Sequence, residues 1–215
     1  MTILYLHGMG GGTASRIPNY LGEFLPDGRI VIRTYDFNPA VAHGQIVGWF
    51  DEVKPDIVIG ESLGATHALA LDGIPEILIS PALNAGVYFS VFSLFTLIPG
   101  VPWLIGRAFK PHGDSGRQIM TFNFRNTWKW MHFRRLARRV SRRSSMPHFA
   151  FIGDVDGYRK TGIVSVRTWR RWFGNDTYRI VPGNHIMKHG HGPDDSERIA
   201  FVKDKLIPKI LELTR

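Results

Sequence analysis

A chain of 215 residues with 44% hydrophobic content can bury one substantial core and is short for two domains. It has no cysteine, which excludes a disulfide framework and leaves the redox compartment undiagnosed. The formal net charge of +9 is local, since Ser115 to Gly153 holds nine Lys and Arg residues and no Asp or Glu.

The predicted elements begin with a short apolar strand at 2–6 that runs into His7-Gly8-Met9-Gly10-Gly11-Gly12. A Gly-rich loop after a strand offers backbone N–H groups to an anion. Counted from Gly8, a dinucleotide fingerprint needs glycine where Thr13 stands, and no Gly-Lys-Ser/Thr follows for a phosphate loop. What remains is a strand followed by His-Gly-x, in which the Met9 N–H is a candidate oxyanion donor. A strand at 29–34 and a helix at 41–53 come next. The strand at 56–60 then enters Gly60-Glu61-Ser62-Leu63-Gly64, followed by a helix at 63–71. A serine at the tip of so sharp a turn is strained and crowds its neighbours, and Gly60 and Gly64 remove the Cβ atoms that would collide. This is the pattern of a nucleophile elbow, with Ser62 Oγ above the carboxyl edge of a sheet and the Leu63 N–H as second oxyanion donor. A strand at 76–80 follows. Strands alternating with helices argue a mostly parallel sheet between helices.

The stretch between about 83 and 146 has two halves of opposite character. From Ile77 to Gly106 there is no charged residue, and Val87 to Ile105 is a 19-residue apolar run. Pro99, Gly100 and Pro102 interrupt it, so two short helices forming a cap are expected rather than a membrane span. Phe89, Phe92, Phe95, Leu97 and Trp103 either line an acyl pocket or pack the cap on the core. The second half predicts a helix at 127–143, with Trp130, Phe133, Ala137 and Val140 on one face and Arg134, Arg135, Arg138, Arg139, Arg142 and Arg143 over much of the rest. The basic segment 117–143 suits an anionic membrane surface or a solvated face. It lacks a nucleic-acid motif, so no sequence-specific nucleic acid is expected as partner.

A strand at 147–152 leads into Gly153-Asp154-Val155-Asp156-Gly157, then come a helix near 161–172, a strand at 177–181 and Pro182-Gly183-Asn184-His185. A final helix runs from about 196 to 213, with Asp194 and Glu197 spaced as a capping box. His185, His189, His191 and Asp194 do not match metallo-hydrolase spacing, so no metal and no cofactor is expected. His7 reads as a shaper of the glycine loop and His67 as a packed helix residue.

With these parts in this order the chain resembles the α/β-hydrolase family, and in particular its short bacterial esterases. The resemblance implies a minimal core of about six strands with helices on both faces, in one domain spanning 1–215 with a cap inserted at about 83–146. It implies the order serine, acid, histidine, carried here by Ser62, Asp156 and His185, with Asp154, two positions earlier in the same turn, as the alternative acid. Met9 and Leu63 are then the oxyanion donors. The expected activity is cleavage of carboxylic esters or thioesters of small-molecule substrates through an acyl-enzyme on Ser62. Acyl transfer or amide cleavage on the same fold, or a noncatalytic protein at an anionic membrane, remain open at this point. With no leader pattern before the first strand, a cytoplasmic, possibly membrane-peripheral protein is the expectation.

Overall fold

The computed structural model describes residues 1–109, 116–190 and 192–215. Six strands form one sheet: β1 (Thr2–Leu6), β2 (Arg29–Ile32), β3 (Ile57–Glu61), β4 (Glu76–Ile79), β5 (His148–Gly153) and β6 (Tyr178–Val181). The order across the sheet is β2-β1-β3-β4-β5-β6, and every pair is parallel. The chain therefore starts inside the sheet and works outward in both directions. All carboxyl ends of the strands share one edge, where open α/β sheets collect their chemistry.

The four inner strands β1, β3, β4 and β5 are buried on both faces, and alternation sorts their side chains into two cores. Leu4, Leu6, Val58, Leu78, Ala150 and Ile152 face one layer of helices. That layer holds α2 (Pro39–Val53), α3 (Gly64–Ala68), α6 (Phe124–Ser141) and α8 (Val166–Phe173). Ile3, Tyr5, Ile57, Ile59, Ile77, Ile79, Phe149 and Phe151 face the other side, against α1 (Arg16–Phe24) and the C-terminal helix. The latter is α9 (Ser196–Phe201) and α10 (Ile207–Leu213), joined by a π turn at Val202–Leu206. Pro208, with no N–H to give, sits just beyond the widened turn, which relieves the missing bond.

Among the described residues three helices lie between β4 and β5: α4 (Ala85–Phe95), α5 (Val101–Ala108) and α6. Gly100, at φ 86°, and Pro102 separate α4 from α5. Among the described residues no helix is long and apolar enough to cross a membrane. The helix predicted at 127–143 starts earlier, at Phe124, because the Asn123 side chain accepts the Asn126 N–H and caps it. Its Trp130, Phe133 and Ala137 join the same core as β1, β4 and β5, whereas α5 fully buries nothing. Arg134 ties α6 to the start of α4, its Nε donating to the Leu83 carbonyl at 2.5 Å and one Nη to Asn84 Oδ1 at 2.8 Å.

Some expectations are corrected. The helix expected near 161–172 is two pieces, α7 (Gly157–Thr161) and α8, because Gly162 takes a left-handed conformation that ends α7. The capping box between Asp194 and Glu197 does not form. Asp194 accepts the Ser196 N–H, Glu197 accepts the His189 N–H, and Asp195 precedes the helix while its carboxylate is drawn to Arg16, Lys188 and Arg198. α1 went unpredicted, because Pro18 and the polar residues around it mask a buried face made by Ile17 and Leu21.

Behind the serine turn lies an aromatic box around His67. The fully buried His67 ring meets Tyr35, Trp130 and Phe133 at centroid distances of 5.2, 5.2 and 4.6 Å, and among the described residues neither ring nitrogen has a hydrogen-bond partner. Burial pushes His67 well below its ordinary range and His7 down to about 4. Unfolded, both histidines would titrate near ~6.5, so below that pH the unfolded chain binds protons that the folded one refuses, and stability falls with acidification. Thermal unfolding should therefore show a lower Tm at pH 5 than at pH 7, and His67→Leu, which breaks no hydrogen bond, should flatten that fall. A Tm in the His67→Leu protein that keeps the full wild-type pH dependence would exclude His67 as its source.

Candidate active site

Four segments meet at the carboxyl edge of the sheet. Ser62 follows β3 with φ 51°, a left-handed conformation that costs a non-glycine residue energy and is held by its surroundings. Its N–H donates to the Ile79 carbonyl of β4 at 2.8 Å, and its carbonyl accepts the Ala82 N–H at 3.0 Å. The flanking glycines make the turn possible. A Cβ on Gly60 would lie 2.7 Å from Ala65 Cα, and one on Gly64 would lie 2.2 Å from the Leu6 carbonyl oxygen. Without those atoms α3 packs directly on β1 and β3, and Ser62 stands at the tip.

His185 lies in the loop after β6, a tight turn in which Asn184 Oδ1 accepts the Ile186 N–H at 2.9 Å and the Asn184 N–H donates to the Lys188 carbonyl at 2.8 Å. His185 Nε2 is 2.7 Å from Ser62 Oγ, and Nδ1 is 2.8 Å from Asp156 Oδ2. A carboxylate can only accept, so Nδ1 carries the proton and Nε2 is left to accept from the serine hydroxyl. The Tyr158 ring stands edge-on to the imidazole at 4.6 Å.

The two carboxylates of the turn after β5 are separated by burial. The Asp156 side chain is fully buried and caps α7, its Oδ1 accepting the Tyr158 N–H at 2.8 Å. Burial pushes its carboxyl upward, but the bonds from His185 and from the Tyr158 N–H outweigh that and hold it below the ordinary range. The Asp154 side chain is 45% exposed and accepts the Gly183 N–H at 2.9 Å, which fastens the histidine loop to the end of β5.

The glycine loop after β1 lies against the serine, since a Cβ on Gly8 would come within 3.1 Å of Ser62 Cβ. His7 is buried, stacks on Tyr35 at 4.1 Å, and bonds the Gly8 carbonyl through Nδ1 at 2.7 Å. Among the described residues the Met9 and Leu63 N–H groups donate to no protein acceptor. Both residues line a cavity of about 240 Å³ with Ser62 and His185, walled by Ala82, Ala85, Tyr88, Phe89 and Ile163. Of the five large apolar residues expected over the site, Phe89 alone lines this cavity. Phe92 packs on the core, while Phe95, Leu97 and Trp103 are exposed. Tyr158 and Ile163 were not anticipated. Tyr158 lies two residues beyond Asp156, a position that a turn ending in a helix start brings back over the acid.

Among the described residues no group of three His, Asp or Glu side chains gathers as for a metal ion, and His191 lies outside them.

No protein-family model matches the sequence, and no curated protein matches it either. Solved structures do. A monoacylglycerol lipase of Paleococcus ferrophilus superposes with a TM-score of 0.64 at 16% identity, over 99% of this chain and 93% of that one. A thermostable carboxyl esterase of Bacillus coagulans gives 0.64 at 14% identity, over 100% and 90%. A peroxisomal alpha-beta-hydrolase of Saccharomyces cerevisiae gives 0.57 at 12% identity, over 99% and 76%. This chain has the α/β-hydrolase fold. In that fold's terms, the turn at Ser62, the loops after β5 and β6 and the glycine loop after β1 occupy one end of a six-stranded parallel core.

Proposed function

We propose that the protein is a serine hydrolase that cleaves carboxylic esters or thioesters through an acyl-enzyme on Ser62. The observation that carries this reading is the hydrogen-bonded chain from Ser62 Oγ through His185 to the buried Asp156, opening on an apolar cavity. A serine hydroxyl is a weak nucleophile until a base takes its proton. His185 Nε2 takes it as Oγ bonds to the acyl carbon, and Asp156 keeps the proton on Nδ1 and balances the imidazolium. The Met9 and Leu63 N–H groups receive the negative charge on the carbonyl oxygen. The bond to the leaving group then breaks, and its oxygen or sulfur takes the proton from His185. Water repeats the sequence on the acyl-enzyme and releases the carboxylic acid. The names of the similar solved structures, a lipase and an esterase among them, support this class.

In this reading α4 and α5 form a lid, and the acyl chain lies against Phe89, Ala82 and Ile163. A specific observation extends the reading to a lipid surface. Val91, Leu94, Phe95, Leu97, Ile98, Trp103 and Leu104 are exposed on α4, α5 and their connection, while Arg135 and Arg139 are exposed on α6 and Arg142 and Arg143 just past its end. Apolar side chains of this kind enter an interface, and each basic residue adds ~1 kcal/mol near anionic headgroups.

Ser62→Ala and His185→Ala should each lower kcat on 4-nitrophenyl esters by about 10⁴- to 10⁶-fold without changing Tm. Asp156→Asn should fall by about 10⁴-fold, and Asp154→Asn far less. Undiminished turnover in Ser62→Ala would end the proposal, and a chain-length series peaking at acetate would contradict the apolar acyl site. Sedimentation with vesicles should show binding to anionic lipid that weakens as salt rises. Equal binding to neutral vesicles at all salt concentrations would remove the arginines from the account.

A further inference from the structure

A second cleft, of about 390 Å³, adjoins the apolar cavity. Met9, Glu61 and Ile186 line both and form the wall between them. Each belongs to the proposed machinery or borders it, because Met9 supplies an N–H, Glu61 precedes Ser62 and Ile186 follows His185. Gly10, Gly11 and Gly12 of the glycine loop also line the second cleft.

Among the described residues the charge on this cleft is unbalanced. Arg16, Arg117, Lys188 and Arg198 line it. One carboxylate, Asp195, accepts from Arg16 at 2.7 Å, from Lys188 at 3.1 Å and from Arg198 at 2.7 Å, so three cations share one anion. The cleft's own carboxylate, Glu61, lies on the shared wall and accepts the Tyr5 hydroxyl at 2.7 Å. Lys188 is committed to the fold, its Nζ also donating to the Gly192 and Asp194 carbonyls. The arginines are not. Arg198 spends Nε on the Ile186 carbonyl and one Nη on Asp195, and the half-exposed Arg16 spends one Nη on Asp195. Arg117 is exposed, and its side chain meets no acceptor among the described residues. The ion pairs on Asp195 hold the loop after His185 to α1, but among the described residues that task leaves a donor on Arg198, donors on Arg16 and the whole fork of Arg117.

We infer that this cleft is a leaving-group subsite for an anion, a phosphate or carboxylate carried by the alcohol or thiol of the substrate. The inference rests on the proposed ester-cleaving reading and adds the substrate class. With the acyl chain in the apolar cavity and the carbonyl at Ser62, the leaving group crosses Met9, Glu61 and Ile186 into the cationic side. Guanidinium forks pair with phosphate and carboxylate through two parallel bonds. An uncharged, apolar leaving group would strip water from these cations and return nothing.

The test compares octanoyl esters of glycerol, glycerol 3-phosphate and glyceric acid, which share the acyl group and differ in the charge of the leaving group. An anionic ester should exceed the glycerol ester in kcat/KM by about 10-fold or more, chiefly through KM. Which anionic ester leads decides between phosphate and carboxylate. Arg117→Ala should collapse that ratio, while Lys203→Ala, an exposed cation on the C-terminal helix, should keep it. A wild-type ratio near one, or a ratio unchanged in Arg117→Ala, would overturn the inference. Calorimetry of glycerol 3-phosphate and glycerate with the Ser62→Ala protein separates the two layers. Binding that Arg117→Ala weakens, where the wild-type protein hydrolyses none of the esters, supports the anion site and sinks the esterase reading. Hydrolysis of the glycerol ester with no binding of either anion does the reverse.

Discussion

The left-handed backbone of Ser62 is the constraint on which the site depends. A residue with a Cβ takes that conformation only if its surroundings hold it there. Here they do so by close approach: α3 rests on the backbone of β1 and β3 through Gly60 and Gly64, and the Ser62 N–H and carbonyl are both bonded to the chain around β4. Helix packing, strand pairing and the direction of one hydroxyl are thereby a single arrangement. Filling the space at Gly64 would push α3 off β1 and turn Ser62 away from His185.

Around that fixed point the two sides of the sheet edge differ in character. One side is apolar and lies under Phe89 and α4, and the other is cationic and lies over the glycine loop. Between them stand Met9, Glu61 and Ile186, neighbours of the groups proposed to do the chemistry. Asp195 organises the cationic side by drawing three cations to one carboxylate, and the same pull displaces the helix cap that the spacing of Asp194 and Glu197 predicts. The buried Asp156 stands in contrast, since among the described residues no Lys or Arg pairs with it and it accepts from the His185 imidazole and the Tyr158 N–H.

Much of this was legible in the sequence, for a physical reason. Strands buried on both faces read as apolar runs, so β1, β3, β4 and β5 were visible, and three of the four segments that meet at the site follow such a run directly; β2 and β6, on the sheet's edges, showed instead as short β-prone stretches. Glycines that permit backbone approach were visible at Gly60 and Gly64 because spacing alone reveals them. What spacing could not show was which of Asp154 and Asp156 turns inward. Both sit in one turn, and their difference is burial, a tertiary property. The fate of the apolar stretch 87–105 was hidden for the same reason: Phe89 turns to the cavity while Phe95 and Trp103 face outward. The cationic cleft was invisible because Arg16, Arg117 and the pair Lys188 and Arg198 come from three distant regions of the chain.

Intact mass spectrometry after treatment with a fluorophosphonate probe tests the central claim most directly, because the probe adds covalently to an activated serine without requiring the true substrate. The account predicts one adduct on the wild-type protein and none on Ser62→Ala. A folded wild-type protein that takes no adduct, or a Ser62→Ala protein that takes the same one, would contradict it.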